Sequence, residues 1–311
     1  MGFQQIVAVD WSGAAEERTQ REKIWWCCAE IGPEGELLVT ELDSGKTREE
    51  IIAWLLEGVR AEALLGFDFA FSLPAGYVSS WQGLEEESWK DVLAFCQEKG
   101  EEILALCPLP FWGRPGKKKL QTDAMAGFGL HSLFRRTDEL AGAKKSVFQI
   151  VGAGTVGAGS LRGIPLLGKL AAGGFHIWPF HGPPPETQCA PSRRFKNLQE
   201  GHLPGQERRP TVVEIYPRFF CNGLFRCPLN KTSWRAREEG LRLLAGMEKL
   251  HIDWRILCRG MASDDAFDAL VSAVGMWRFL DEGGFDLYPA EFYGEPFLRS
   301  EGWIWGVPPP G

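Results

Sequence analysis

The chain has 311 residues, 44% of them hydrophobic and 24% charged, and a formal net charge of −7. Such near-average fractions exclude a disordered or fibrous chain and leave enough apolar material for a sizeable core. The charge is unevenly spread: residues 107–211 carry 15 Lys and Arg against 6 Asp and Glu, a net of +9, while the rest carry 19 against 35, a net of −16, so polyanionic partners stay open for an acidic protein.

No apolar run approaches the roughly 18 residues that span a bilayer, so no membrane span is expected. Met1 leads into a strand-like stretch without the basic and apolar regions of an export signal, and a cytoplasmic protein is expected. The eight cysteines contain no Cys-x-x-Cys pair and read as reduced, mostly buried thiols.

Ile6–Val9 is a fully apolar run ending in Asp10, the pattern of a central strand buried on both faces. Residues 23–31 and 37–42 read as two further strands joined by Gly32-Pro33-Glu34-Gly35, giving an antiparallel meander. Thr47 then caps a first helix through Val59, and Ala63–Phe69 is a fourth strand with Asp68 near its end. Residues 85–102 read as helical, and 107–119 as a Pro/Gly-rich loop ending in Lys117-Lys118-Lys119. Strands are expected at 147–151, 175–180, 211–216 and 254–257, and helices at 233–250 and 264–279. The arrangement is an α/β protein whose mixed sheet joins an antiparallel three-strand meander to parallel strands flanked by helices, a ribonuclease H-like order. It forms one domain with a core at about 1–106 and 211–311 and a long basic insertion at about 107–210.

Three carboxylates interrupt apolar surroundings: Asp10 after Val7-Ala8-Val9, Asp68 within Gly66-Phe67-Asp68-Phe69, and Asp268 within Phe267-Asp268-Ala269-Leu270. A carboxylate so placed must be paired, ligate a metal, or bear a desolvation cost. If strands one and four are neighbours, Asp10 and Asp68 lie side by side. Asp264, Asp265 and Asp268 project from one face of the last helix, along a stripe that continues through Ser272 and Gly275. Hard oxygen ligands in this number suit one or two Mg²⁺ (or Mn²⁺) ions with positions open for a phosphodiester and water. Blander roles stay open: Asp264 and Asp265 also complement a helix dipole behind Ser263, and Glu214 is either a further ligand or the partner of an arginine such as Arg218.

These residues carry a family resemblance. Val7-Ala8-Val9-Asp10, Gly66-Phe67-Asp68, Val213-Glu214-Ile215-Tyr216-Pro217 and Asp264-Asp265-Ala266-Phe267-Asp268-Ala269-Leu270, with Ile177-Trp178-Pro179-Phe180 and Gly302-Trp303-Ile304-Trp305, resemble the domain-of-unknown-function family 429, predicted nucleases of the ribonuclease H-like superfamily. Asp265–Leu270 is also similar to the last helix of RuvC-type resolvases. The resemblance implies a Mg²⁺-dependent nuclease with Asp10, Asp68, Asp265 and Asp268 as catalytic carboxylates, and Asp10, Asp68, Glu214, Asp264, Asp265 and Asp268 as metal ligands. Bulky Trp11, directly after Asp10, is a departure that would alter access.

The basic third offers Lys117, Lys118, Lys119, Arg162, Arg193, Arg194 and Lys196 as contacts for a nucleic acid, interleaved with aromatic stacking faces. Gly152-Ala153-Gly154-Thr155-Val156-Gly157 matches a dinucleotide fingerprint, yet two further glycines and Pro165 argue for a loop instead of the helix such a site needs. Asp10-Trp11-Ser12-Gly13 is also similar to the first phosphate loop of actin-like ATPases, which leaves a phosphotransferase as one rival. A nucleic-acid-binding or scaffolding protein without chemistry is the other. His176 and His181 read as packing or surface residues.

Overall fold

The computed structural model describes residues 2–152, 155–184, 208–225 and 229–310. Seven strands form one mixed sheet in the order β5-β6-β4-β1-β2-β3-β7. β1 (Gln5–Asp10) pairs antiparallel with β2 (Trp25–Ile31), which pairs antiparallel with β3 (Leu37–Ser44). The remaining neighbours are parallel: β4 (Ala63–Phe67) on β1, β6 (Thr211–Glu214) on β4, the two-residue β5 (His176–Ile177) on β6, and β7 (Leu250–Ile252) on β3. Only β2 therefore runs against the other six. The expected adjacency of the first and fourth strands is present, although a short helix α1 (Glu17–Lys23) stands between β1 and β2.

One face of the sheet carries Val7, Val9, Leu65, Phe67 and Val212 against α2 (Arg48–Gly58), α3 (Tyr77–Gln82), α4 (Trp89–Leu106) and α6 (Gly157–Ala172), while the short α5 (Arg136–Leu140) is tied through Thr137 Oγ, which accepts from Ile304 N at 2.9 Å. The other carries Ile6, Ala8, Leu64, Val213 and Ile215 against α7 (Pro217–Phe225), α8 (Trp234–Ala245), α9 (Trp254–Gly260) and α10 (Asp264–Asp281). Thr47 opens α2 with the reciprocal capping box to Glu50 that its sequence foretells. The stretch 107–184 packs into the same core through Phe111, Val147, Phe148, Leu161 and Ile177, and β5 extends the sheet.

Three expectations are corrected. Residues 254–257 are helical, because Asp253 caps α9 by accepting from Arg255 N at 2.8 Å; the strand lies just before, at β7. The run 147–151 forms only an isolated bridge, Gln149 to Trp112. The segment beyond Gly157 is a helix despite its glycines and Pro165, because Leu161, Ile164, Leu167 and Leu170 bury one stripe of it. Among the described residues no helix is long and apolar enough to cross a membrane.

Candidate active site

Side chains alternate between faces along a strand, and partners in register on parallel strands share a face. Val9 stands opposite Phe67, and Phe67 opposite Glu214. One step further, Asp68 N donates to the carbonyl of Val9 at 3.0 Å and Ile215 N to that of Phe67 at 3.0 Å. Asp10 and Asp68 thus leave β1 and β4 as neighbours on the face that α10 covers. Asp268 arrives there from the second turn of α10, whose start is fixed by Ser263 Oγ accepting from Ala266 N at 3.0 Å. Asp10 is 7% exposed and Asp268 4%, while Asp68, Asp264 and Asp265 are half-buried.

The electrostatics follow from burial. The Asp10 carboxyl is held well above the usual range, foremost by desolvation and then by the charges of Asp68 and Asp265, against the opposing charge of Lys231. Asp68 is pushed up to about 7, again chiefly by burial, with the charge of Lys231 opposing and that of Glu214 adding to the rise. Two adjacent carboxyls in a protein interior cannot both ionise unless a cation joins them.

That cation comes from two lysines which the sequence reading passed over. Lys231, in the connection between α7 and α8, pairs its ammonium with the Asp268 carboxylate. Its backbone is anchored: Arg237 donates to the Lys231 carbonyl at 2.7 Å and to that of Met261 at 3.0 Å. Lys23, the last residue of α1, donates to Asp265 at 2.9 Å at the rim, and Asp265 holds the Lys23 ammonium above its ordinary range. Asp264 and Asp265 also occupy the first turn of α10, so the dipole role and the cluster role coincide.

Glu214 is not a member of the group. Its register with Phe67 turns the side chain to the opposite face, where Arg135 donates to Oε2 at 2.7 Å and Phe71 N donates to the same oxygen at 2.8 Å. Arg135, 1% exposed, also binds Asp138 at 2.7 Å. The expectation of an arginine partner holds with Arg135 in place of Arg218, and both carboxylate oxygens are occupied by the pair. Trp11 follows the same alternation: it packs on Phe67 and Phe69 and donates through Nε1 to Gly159 O at 3.3 Å, pointing away from Asp10. The small residue Gly275 serves helix packing, since a Cβ there would lie 2.5 Å from Phe220.

The basic residues divide. Lys117 and Lys118 are exposed, and Lys119 lies over the rings of Trp112 and Phe134 at 5.8 Å from each. Arg162 is committed to the protein: it pairs with Glu101 at 2.6 Å and donates to the Gly13 carbonyl, while Arg48 donates to the Ser12 and Ala14 carbonyls at 2.8 and 2.7 Å. Arg193, Arg194 and Lys196 lie outside the described residues. The turn after Asp10 meets the start of α6 so closely that a Cβ on Gly13 would lie 2.4 Å from Gly159 N, so the two backbones touch at that point. His176 and His181 serve packing, as expected: His181 Nδ1 accepts from Ile177 N at 3.1 Å, and burial lowers both imidazoles, His176 to about 4.

Hard carboxylate oxygens from three elements, in excess over the cations beside them, are the donor chemistry that Mg²⁺ or Mn²⁺ takes. Among the described residues no three such groups stand arranged around one ion, and the Lys231 ammonium holds the cation position at Asp268. The donor chemistry thus fits a divalent ion, at a cluster that Lys231 partly neutralises from Asp268. Comparison of the chain with protein-family models, curated proteins and solved structures gives no match.

Proposed function

We propose that the protein is a ribonuclease H-like nuclease that hydrolyses phosphodiester bonds of nucleic acid with the help of Mg²⁺ or Mn²⁺ at Asp10, Asp68 and Asp268. The observation that carries this reading is that Asp10 and Asp68, at the ends of two adjacent parallel strands, share one neighbourhood with Asp264 and Asp265 of α10, and that Asp268 joins them through Lys231, whose charge acts on both strand acids. The run β3-β2-β1-β4-β6 with β2 alone reversed supports the ribonuclease H-like part of it. A fold alone does not give an activity; the acid cluster at the strand ends does the arguing.

A bound Mg²⁺ or Mn²⁺ would lower the pKa of a water and offset charge on a phosphate. The chain's own residues prepare for this. Asp10 and Asp68 present oxygens from rigid strand ends, which keeps their spacing fixed. Asp268 adds a third element, and Asp265, steered by Lys23, stands at the edge. In hydrolysis a water oxygen bonds to phosphorus, the bond to one ester oxygen breaks, and a phosphate monoester and a free hydroxyl result. The exposed Lys117 and Lys118, with Lys119 over its two rings, are suited to the strand itself through charge and stacking.

Purified protein with Mg²⁺ or Mn²⁺ on single-stranded, duplex and branched DNA and RNA, beside D10N, tests the reading. Cleavage that D10N loses is expected. Equal cleavage by both proteins, or none on any substrate, overturns it. A second reading, a protein of the same fold that binds nucleic acid without cutting it, is favoured by the Lys231–Asp268 pair, which neutralises part of the cluster. Salt-dependent binding indifferent to divalent metal would support it.

A further inference from the structure

We infer that Lys231 is an exchangeable counter-cation: it holds the metal-free acid cluster together from Asp268 and cedes that position when a divalent ion enters. The inference rests on the metal-dependent reading above and concerns how that site is loaded.

The position of the ammonium is the first observation. Lys231 pairs with Asp268, and its charge also acts on Asp10 and Asp68, so one cation serves the three carboxylates assigned to the metal. The second is how it is delivered. The Lys231 carbonyl accepts from Arg237, a buried side chain that also ties down Met261, two residues before the cap of α10. Backbone and helix start are thereby clamped to one guanidinium, and only the aliphatic stem of Lys231 is left to move.

The third is the contrast with the other buried acid of the sheet. Glu214 is balanced by Arg135, whose side chain is 1% exposed and locked by Asp138 and by the carbonyl of Glu301. Lys231 is 38% exposed; its ammonium has a path to water along its own stem and can leave without disturbing the core. Arg135 is built to stay and Lys231 to be displaced. A monovalent ammonium and a divalent ion cannot share one carboxylate position without repulsion, so the two compete, and the free energy of metal binding is reduced by what Lys231 contributes to the empty site.

Binding of Mn²⁺ alone to the full chain at pH 8 and fixed ionic strength, read from the resonance of the free ion, tests this with wild type, K231M and K231R. K231M is expected to bind at least about tenfold more tightly and to melt lower than wild type in chelator, with the deficit recovered on adding Mn²⁺. K231R is expected to bind no more tightly than wild type. Should K231M not fold, Lys231→Gln, which keeps a donor for Asp268, carries the same comparison. If wild type binds Mn²⁺ and the charge-removing variant binds within twofold of it, the exchange is overturned while the metal-dependent reading stands. Mn²⁺ bound by neither protein overturns both.

Discussion

Asp10 and Asp68 stand side by side at the ends of β1 and β4, one residue beyond the paired Val9 and Phe67, and burial holds both carboxyls above their usual range. Neither strand could move its acid away, because Val9 and Phe67 fix the register one residue earlier. The sheet thus forces two like-charged groups together, and relief has to come from a proton, from Lys231 or from a metal ion.

The proton makes stability depend on pH. Burial raises both carboxyls above their unfolded values, Asp68 to about 7, so between about pH 4 and 7 the folded chain binds more protons than the unfolded one. The stabilisation is complete below the unfolded pKa and is lost as pH rises through the folded one. In chelator, the urea midpoint of wild type is expected to fall from pH 5 to pH 8, and D68N to be flatter and more stable than wild type at pH 8. A wild-type midpoint that climbs across this range would contradict the account.

Metal binding should discriminate the centre of the cluster from its rim. D268N is expected to abolish the rise in melting temperature on adding Mn²⁺. Lys23→Met, which removes the rim pair with Asp265 and only a weaker influence on Asp264 and Asp10, should change Mn²⁺ affinity by less than about threefold, a surface ion pair contributing roughly 0–1 kcal/mol. Calorimetric titration of the two variants gives the comparison.

Arg135 and Glu214 provide a test on the other face. R135M leaves Glu214 and Asp138 buried without their cation and is expected to cost about 3–5 kcal/mol. R135M/E214L should cost less than the two single changes added together, since the charge stranded by one is removed by the other. Equilibrium urea unfolding measures both; strict additivity would show that the pair is not coupled.

Gly13→Ala sets a methyl against the backbone of Gly159 and the side chain of Ala158, at 2.4 and 2.8 Å. Neither is the tip of a flexible side chain, so a loss of about 1–3 kcal/mol is expected. Gly58→Ala, at the last residue of α2 with nothing within 4 Å, is the matched control and should fall within about 0.5 kcal/mol of wild type. Thermal or urea unfolding that ranks the two the other way would refute the close packing of the turn.

Asp10, Asp68 and Asp268 were legible in the sequence because each breaks an apolar run, and a buried carboxylate advertises itself by its neighbours. The cations that balance the buried acids, Lys231 at Asp268 and Arg135 at Glu214, were not. Lys231 follows Pro228-Leu229-Asn230, and Arg135 stands in Phe134-Arg135-Arg136, contexts shared with ordinary surface residues; only the tertiary fold brings them to an acid. Glu214 stood open between metal ligand and arginine partner, and the register decides between them. It lies on a strand neighbouring that of Asp68, but one residue of register separates them, and register sends alternate residues to opposite faces. The helix at 254–260 was foreshadowed by Asp253, whose capping chemistry outweighed a short apolar run that suits either structure. Pro165 inside α6 was the reverse case, a local breaker overruled by burial of the helix against α4 and the sheet.

The place of α10 in the chain has a kinetic side. Asp10 and Asp68 are synthesised before α10, in a strand pair that closes over a short stretch of sequence, whereas Lys231 and Asp268 follow far behind them in the chain. Contacts so far apart in sequence form late, and domains emerge from the ribosome N-terminal end first. The early acids therefore wait on an uncovered, solvated side of the sheet, and the rise in their pKa comes only with the helix that buries them. Until α10 docks, a growing chain holds only half of the acid cluster and none of the burial that couples its members.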